Sequence, residues 1–135
     1  MSTQNIKTRK AYRQGELLFV PLCKDEMSEL VPDNNSHSSW KKLQTNILRE
    51  GEATGHKHQV ITQTPDVASI LAPAGQFIRG LASMAVIGSE DRMLVATKPV
   101  EVVHPEHKPL SLPEGNYLVI VQREYDEIKA RRILD

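Results

Sequence analysis

The sequence contains a single cysteine, Cys23, among its 135 residues. One thiol cannot form an internal disulfide, so the fold must be stable without cross-links and a reducing compartment, the cytoplasm, is the predicted location. A reactive thiol needs an electropositive setting, and Lys24 is the only adjacent cation. We therefore predict that Cys23 is a buried apolar residue without a chemical role.

An excess of charge is also absent, because 17 Lys and Arg residues balance 17 Asp and Glu residues. No overall field therefore attracts duplex DNA or an anionic membrane, although a local cluster of cations would suffice for a small anionic ligand. No apolar run approaches the ~20 residues that span a bilayer, and Ser2–Arg13 lacks the apolar stretch of a signal peptide. We expect a cytoplasmic protein with neither membrane nor duplex DNA as a partner.

Sustained helical periodicity is scarce, whereas short apolar strands punctuated by Gly and Pro are frequent. This pattern predicts an all-β fold, or a mainly β fold with one or two short helices, arranged as a small barrel or sandwich of cupin-like size. The predicted organisation is a flexible basic arm over 1–10, a single β-rich domain over 11–126 with a variable apolar excursion over 63–90, and a short helix or tail over 127–135.

Two strands are predicted most clearly. Leu17–Val20 is an apolar run that we expect to end at Pro21, and Tyr117–Tyr125 is apolar on both faces, which is typical of a central strand. Pro99 should make the strand over 93–103 an edge strand, introduce a bulge or divide it into two pieces. Residues 23–39 have loop composition, and 40–48 are compatible with helix or strand. The apolar residues of 65–88 have patchy helical spacing and are also compatible with a dimer surface.

The histidines are the most informative feature that is present. Four of the five form two close pairs, His56 with His58 and His104 with His107. On a strand, residues two apart share one face with ~6.6 Å of rise between them, so His56 and His58 should face one space while Lys57 points away. His104 and His107 flank Pro105 and should lie at a strand end. If the two segments are neighbours in a sheet, the four imidazoles meet around a shared cavity.

Two chemistries use such a cluster. Zn²⁺ or another first-row metal binds neutral imidazoles, here His56, His58, His104 and His107, with a carboxylate completing the shell. Alternatively, without a metal or other cofactor, one imidazole removes a hydroxyl proton and another protonates the leaving oxygen of a phosphodiester. The residues alone do not choose between them, and a hydrogen-bonded structural role is the third possibility.

Cations near the pairs are candidates for binding phosphate. Arg123 and Tyr125 continue the face of the last strand, where a planar guanidinium suits phosphate or carboxylate. A structural pair between Arg123 and a carboxylate such as Glu16 is the alternative. Lys57, Lys108 and Arg13 are the other candidates for substrate binding.

Five segments resemble a family of small bacterial proteins. They read YRQGE at 12–16, EGEATGHxH at 50–58, HxxHxP at 104–109, LPxGxY at 112–117 and QREY at 122–125. The resemblance covers about 12–126 and leaves out the 63–90 excursion. It associates the chain with ring nucleases, which degrade the cyclic oligoadenylate messengers of CRISPR-type antiviral defence.

The resemblance implies a metal-independent phosphodiesterase acting on RNA or cyclic oligonucleotides, and a homodimer matching a symmetric ring. The residues that carry over are His56, His58, His107 and Tyr125 as catalytic candidates, with Arg123 as a ligand to phosphate. The HxH pair is also similar to half of a cupin metal motif, but 59–64 lacks the following Glu. A metal-dependent enzyme or metal-binding module and a non-enzymatic nucleotide-binding protein remain the alternatives.

Overall fold

The structure, a computed structural model, describes residues 10–30, 40–51, 55–64, 66–73, 78–80, 85–87 and 90–122. Apart from Lys10, the predicted basic arm lies outside these residues, and so does the predicted C-terminal helix or tail.

Strands dominate the described part of the chain, which confirms the predicted small all-β fold. One helix is present there, α1 (Lys24–Leu30). The strands are β1 (Tyr12–Gln14), β2 (Leu17–Leu22), β3 (Trp40–Leu43), β4 (Ile47–Glu50), β5 (Lys57–Ile61), β6 (Ala68–Pro73), β7 (Ile78–Gly80), β8 (Ala85–Ile87), β9 (Arg92–Ala96), β10 (Val100–His104), β11 (His107–Leu112) and β12 (Gly115–Val121).

Two antiparallel sheets form the body of the fold. The larger has the order β1-β2-β12-β9-β6-β3, the smaller has the order β11-β10-β5-β4, and β7 pairs with β8 separately. Apolar residues of both large sheets share one buried cluster, for example Phe19 and Val119 from the first with Val60 and Val102 from the second. The arrangement is therefore a sandwich, and the described strands do not close into a barrel.

The central strands β2 and β12 are buried on both faces. Along β12, Val119 and Val121 face the cluster between the sheets, whereas Leu118 and Ile120 join a second cluster on the opposite face. β12 pairs with β2 on one side and with β9 on the other. The continuous apolar run of this strand thus reflects its central position, as the sequence predicts.

The structure corrects the expected end of β2. The strand continues through Pro21 to Leu22, and Pro21 is opposite Tyr117 of β12. On its other side β1 reaches only as far as Phe19, so the missing N–H of Pro21 deprives no partner in β1 of a hydrogen bond. Pro99, by contrast, separates β9 from β10, which belong to different sheets.

Cys23 and the residues after it also differ from expectation. The thiol is exposed rather than buried, and the predicted loop begins with α1. Cys23 lies just before the helix, where its backbone N–H donates to the Glu26 carboxylate and its carbonyl accepts from Met27 N–H. The first bond satisfies an amide that a helix start leaves without a partner, and the second is the first backbone bond of the helix itself.

The predicted excursion over 63–90 is partly integral to the sandwich. β6 lies between β9 and β3, and its Ile70 is buried in the cluster between the sheets. The patchy helical spacing of this stretch therefore corresponds to strands.

In the described residues no helix is long and apolar enough to cross a bilayer.

Candidate functional site

The two histidine pairs meet because their strands are neighbours. His56 directly precedes β5 and His58 is its second residue, whereas His104 ends β10 and His107 begins β11. β5 is antiparallel to β10, with Gln59 opposite Val103, so the start of one strand lies beside the end of the other. The turn Pro105–Glu106 then returns the chain to place His107 opposite His104.

All four imidazole rings are in one cluster. The ring centroid of His104 lies 4.3 Å from that of His58, 4.6 Å from that of His107 and 6.0 Å from that of His56. The rings of His58 and His107 are nearly parallel, with 6.2 Å between centroids. The structure therefore brings together residues that lie nearly 50 positions apart.

His58 forms the floor of the cluster, with 0% of its surface exposed. Its Nδ1 lies 2.8 Å from Gln14 Oε1 and its Nε2 lies 3.2 Å from Glu16 Oε1. Both partners come from the β1–β2 hairpin of the other sheet. Because both nitrogens of this buried ring have partners, the cost of removing it from water is offset and its position is well defined.

Gln14 cannot turn its amide without losing contacts. Its Nε2 donates to the carbonyl of Val102 at 2.9 Å and to that of Lys108 at 2.9 Å, one on β10 and one on β11. The amide nitrogen has two hydrogens, and both are used. Oε1 therefore faces Nδ1 of His58 as an acceptor.

Glu16 continues the network toward the surface. Its Oε2 accepts from Arg49 Nε at 3.1 Å, and Arg49 also donates to Glu90 Oε1 at 3.1 Å. Burial favours a raised pKa at Glu16, but the hydrogen bond from its own backbone amide, the contact with the His58 ring and the hydrogen bond from Arg49 outweigh that effect, and the pKa is lowered. Glu16 is thus a carboxylate at neutral pH.

Two further pKa values are lowered within the cluster. Burial has the largest effect on His58 and lowers its pKa; the Glu16 carboxylate opposes this, and the His104 and His107 rings add to the lowering. The pKa of His104 is lowered as well, by desolvation and by neighbouring His107. Both imidazoles therefore give up a proton more readily than an isolated histidine does.

The outer rings are reachable from solvent. The His56 side chain is 34% exposed, and its Nδ1 lies 3.3 Å from Glu106 Oε1. The backbone N–H of Glu106 donates to His104 Nδ1 at 3.0 Å. Glu106 consequently orients two imidazoles, and the Nε2 of His56 and the Nε2 of His104 are the atoms not used in these bonds. His107 is exposed.

The residues predicted to bind substrate lie at different places relative to the histidine cluster. Lys108 follows His107 and is exposed, whereas Lys57 lies between His56 and His58 and alternates to the other side of β5. Arg13 is exposed, and its guanidinium donates to Gln122 Oε1. The backbone N–H of Gln122 donates to Glu16 O at 2.6 Å, so the described chain ends beside the cluster. Arg123 and Tyr125 lie outside the described residues.

The geometry gives little support to metal ligation. In the part of the chain that the structure describes, no three His, Cys, Asp or Glu side chains are arranged to hold a metal ion. His58 has both nitrogens directed at Gln14 and Glu16, and His104 uses Nδ1 to accept from a backbone amide. Ligation by either Nδ1 atom would require these bonds to break.

Two cavities lined by described residues lie away from the imidazoles. The larger, about 590 Å³, is at the opposite end of β5 and β10 and includes Ile61, Lys98 and Ser111 in its lining. The smaller, about 70 Å³, lies beside Asn46 and Val60. The rings meet as predicted, but neither cavity is the one expected between them.

Sequence reasoning missed Gln14 and Arg49 as members of the site and considered Glu16 only as a partner of Arg123. Gln14 and Glu16 lie 44 and 42 positions from His58, so no local spacing connects them. The YRQGE segment, which contains both residues, was the available signal.

The fold and site define a small antiparallel β-sandwich with a histidine cluster where its two sheets meet. A family model described as "Domain of unknown function (DUF8820)" matches residues 13–122, and the chain therefore belongs to this family. The match includes the 63–90 segment that the resemblance left out. No curated protein and no solved structure matches the chain.

Proposed function

We propose that the histidine cluster is an acid–base site that cleaves phosphodiester bonds in RNA or cyclic oligonucleotides without a metal ion. The observation that carries the proposal is the convergence of four imidazoles, of which the outer ones are accessible and the buried one is held by side chains at both nitrogens. Imidazoles titrate close to neutral pH, as proton transfer to and from oxygen requires.

His56 is suited to act as the base. The Glu106 carboxylate lies 3.3 Å from its Nδ1, which leaves Nε2 directed away from the carboxylate. A carboxylate at Nδ1 orients the ring and stabilises the imidazolium that forms on proton uptake. His107, exposed on the other side of His104, is suited to be the acid.

On a ribose substrate the two histidines transfer one proton each. His56 removes the proton of the 2′-hydroxyl, the oxygen attacks phosphorus, and the bond from phosphorus to the 5′-oxygen breaks as His107 protonates that oxygen. The products are a cyclic 2′,3′-phosphate and a 5′-hydroxyl. Lys108, next to His107, is placed to offset charge on the phosphoryl oxygens.

The test is cleavage of single-stranded RNA and of cyclic oligoadenylates of several ring sizes, with EDTA present throughout. Removing one acid–base group costs about 10²–10⁴-fold in rate, so we expect losses of this size for His56→Ala and His107→Ala. Lys42→Ala is the control, because Lys42 is exposed on β3 at the far edge of the larger sheet. Folding of each variant is checked by thermal unfolding.

Each alternative has its own outcome. Folded alanine variants that cleave at the unmodified rate would contradict the acid–base site. Activity that EDTA abolishes and Zn²⁺ or Mn²⁺ restores would favour the metal-dependent enzyme. Tight binding of oligonucleotide without turnover would favour the non-enzymatic binding module. The mass of the protein bound to a cyclic ligand tests the proposed homodimer.

A further inference from the structure

We propose that Gln14 is a positioning residue that fixes the tautomer of His58, so that His58 keeps its hydrogen on Nδ1 and exchanges protons through Nε2. The positioning role rests on the proposed function, whereas the tautomer itself does not. No expectation drawn from the sequence involved Gln14 in the chemistry of the site.

The side-chain amide of Gln14 is held rigidly. Gln14 is 3% exposed, and its amide nitrogen donates to carbonyls on two different strands. Rotating the amide would direct its oxygen at both carbonyls and leave them without a donor in the buried interior, which is costly. The oxygen of Gln14 is therefore a fixed acceptor.

The second step concerns the ring of His58. The fixed acceptor, Gln14 Oε1, lies 2.8 Å from Nδ1. If Nδ1 carried no hydrogen, its lone pair would be directed at that oxygen, which is repulsive. The contact of Nε2 with Glu16 Oε1 is longer, at 3.2 Å, and the Glu16 side chain is 36% exposed. Glu16 also has Arg49 as a second partner. Neutral His58 carries one ring hydrogen. It therefore keeps the hydrogen bond to Gln14 and has none to donate to Glu16.

The third step is the setting of Nε2. The groups around His58 are Glu16 from the β1–β2 turn, His104 from β10 and His107 from β11, with Arg49 of β4 on the far side of Glu16. A proton at Nε2 adds positive charge beneath two imidazoles that face the substrate. Its loss removes that charge, so the state of Nε2 influences how His104 holds its own proton.

The primary measurement needs no substrate. Two-bond ¹H–¹⁵N spectra of histidine-labelled protein distinguish a protonated from a bare ring nitrogen, and a titration identifies the nitrogen that loses its hydrogen. We expect neutral His58 to carry hydrogen on Nδ1 and to have a bare Nε2. Hydrogen on Nε2 with a bare Nδ1 overturns the proposal.

Two variants separate positioning from structure. Glu16→Gln keeps Gln14 in place and should retain hydrogen on Nδ1, whereas Gln14→Met removes the acceptor and should abolish the preference for that tautomer. We expect Gln14→Met to lower kcat by about 10²-fold, as a small misplacement of the catalytic groups does, and to alter the pH profile. Gln63→Met, at an exposed glutamine, is the matched control and should change neither kcat nor the pH profile.

The outcomes distinguish the two proposals. If Gln14→Met fails to fold, the spectra of the unmodified chain and of Glu16→Gln still decide the tautomer. Hydrogen on Nδ1 together with unmodified kcat and pH profile in a folded Gln14→Met variant overturns the positioning role. Absence of cleavage by the unmodified chain contradicts the proposed function, and hydrogen on Nδ1 would in that case still support the tautomer assignment.

Discussion

Gly15 occupies a position that suits glycine for two separate reasons. Its φ is +56°, in the left-handed region, and a Cβ there would lie 2.6 Å from His107 Nε2 and 2.9 Å from His107 Cδ2. The first property penalises any L side chain, and the second excludes even a methyl group unless His107 moves. Gly15 therefore sets the place of an exposed imidazole that the proposed reaction uses.

Gly15→Ala should displace the His107 ring and cost about 1–2 kcal/mol of unfolding free energy for the left-handed backbone. The measurement is the ring resonances of His107, which should shift, together with urea unfolding. Gly55→Ala is the matched control: its φ is +84°, but no atom of the described residues lies within 4 Å of its Cβ position. Comparable destabilisation without a shift at His107 is expected there, and an unmoved His107 in Gly15→Ala would contradict the packing argument.

At the scale of elements, β12 is the strand on which the sandwich most depends. It lies between β2 and β9, and each residue from Tyr117 to Val121 is buried. Ile120 is 0% exposed and belongs to the cluster on the outer face of the larger sheet. Loss of its side chain would leave a cavity that neighbouring strands cannot fill by local adjustment.

Ile120→Ala should therefore destabilise the fold by about 2–5 kcal/mol, which includes lost burial and the residual cavity. Ile61→Ala removes the same atoms from a position that is 43% exposed, and should cost less than about 1 kcal/mol. The measurement is the free energy of unfolding in urea for both variants. Equal losses would mean that the burial of β12 is not the main source of its stability.

The strands that the sequence predicts best are those whose signal is local. The run at Leu17–Val20 and the doubly apolar run that starts at Tyr117 each identify a buried strand from consecutive residues, although β12 ends at Val121 and not at the predicted Tyr125. α1 was missed because the acidic residues of its first turn are also typical of loops, and its capping contact is not visible in the composition. β6 was assigned weak helical spacing because small apolar residues fit either period, and its place between β9 and β3 depends on distant strands.

The site, like the fold, was predictable where its signal is local. The HxH spacing and Pro105 placed the histidines on strand ends, which is a local inference. Their convergence depended on β5 and β10 pairing, and the support of His58 depended on a hairpin from the other sheet. Neither fact has a local sequence signature, so Gln14 and Arg49 could not be assigned from their neighbours.

At the scale of the whole molecule, the site connects the two sheets. Gln14 and Glu16 belong to the hairpin of the larger sheet, whereas His58, the Val102 carbonyl and the Lys108 carbonyl belong to the smaller one. The network therefore forms only when the sandwich is assembled. Protonation within the site should accordingly influence the stability of the entire fold.

Stability should have a plateau between about pH 6.5 and pH 10, the ordinary pKa values of His and Tyr. The pKa values of His58 and His104 are lowered on folding, so the unfolded chain binds more protons below pH 6.5 and stability falls as the pH is lowered. The lowered pKa of Glu16 extends the loss below its ordinary value of 4.5. Burial raises the pKa of Tyr117 to about 12, so stability also falls as the pH rises above 10.

The measurement is the free energy of unfolding in urea at intervals from about pH 3 to about pH 11. Tyr117→Phe separates the two limbs: it removes the hydroxyl that donates to Pro113 O at 2.6 Å, and with it the alkaline loss, while the acid loss remains. Glu16→Gln should instead weaken the acid limb below pH 4.5 and leave the alkaline limb unchanged. A protein that becomes more stable between pH 7 and pH 5.5 would contradict the lowered pKa values of His58 and His104, because a histidine stabilised as a cation has the opposite slope.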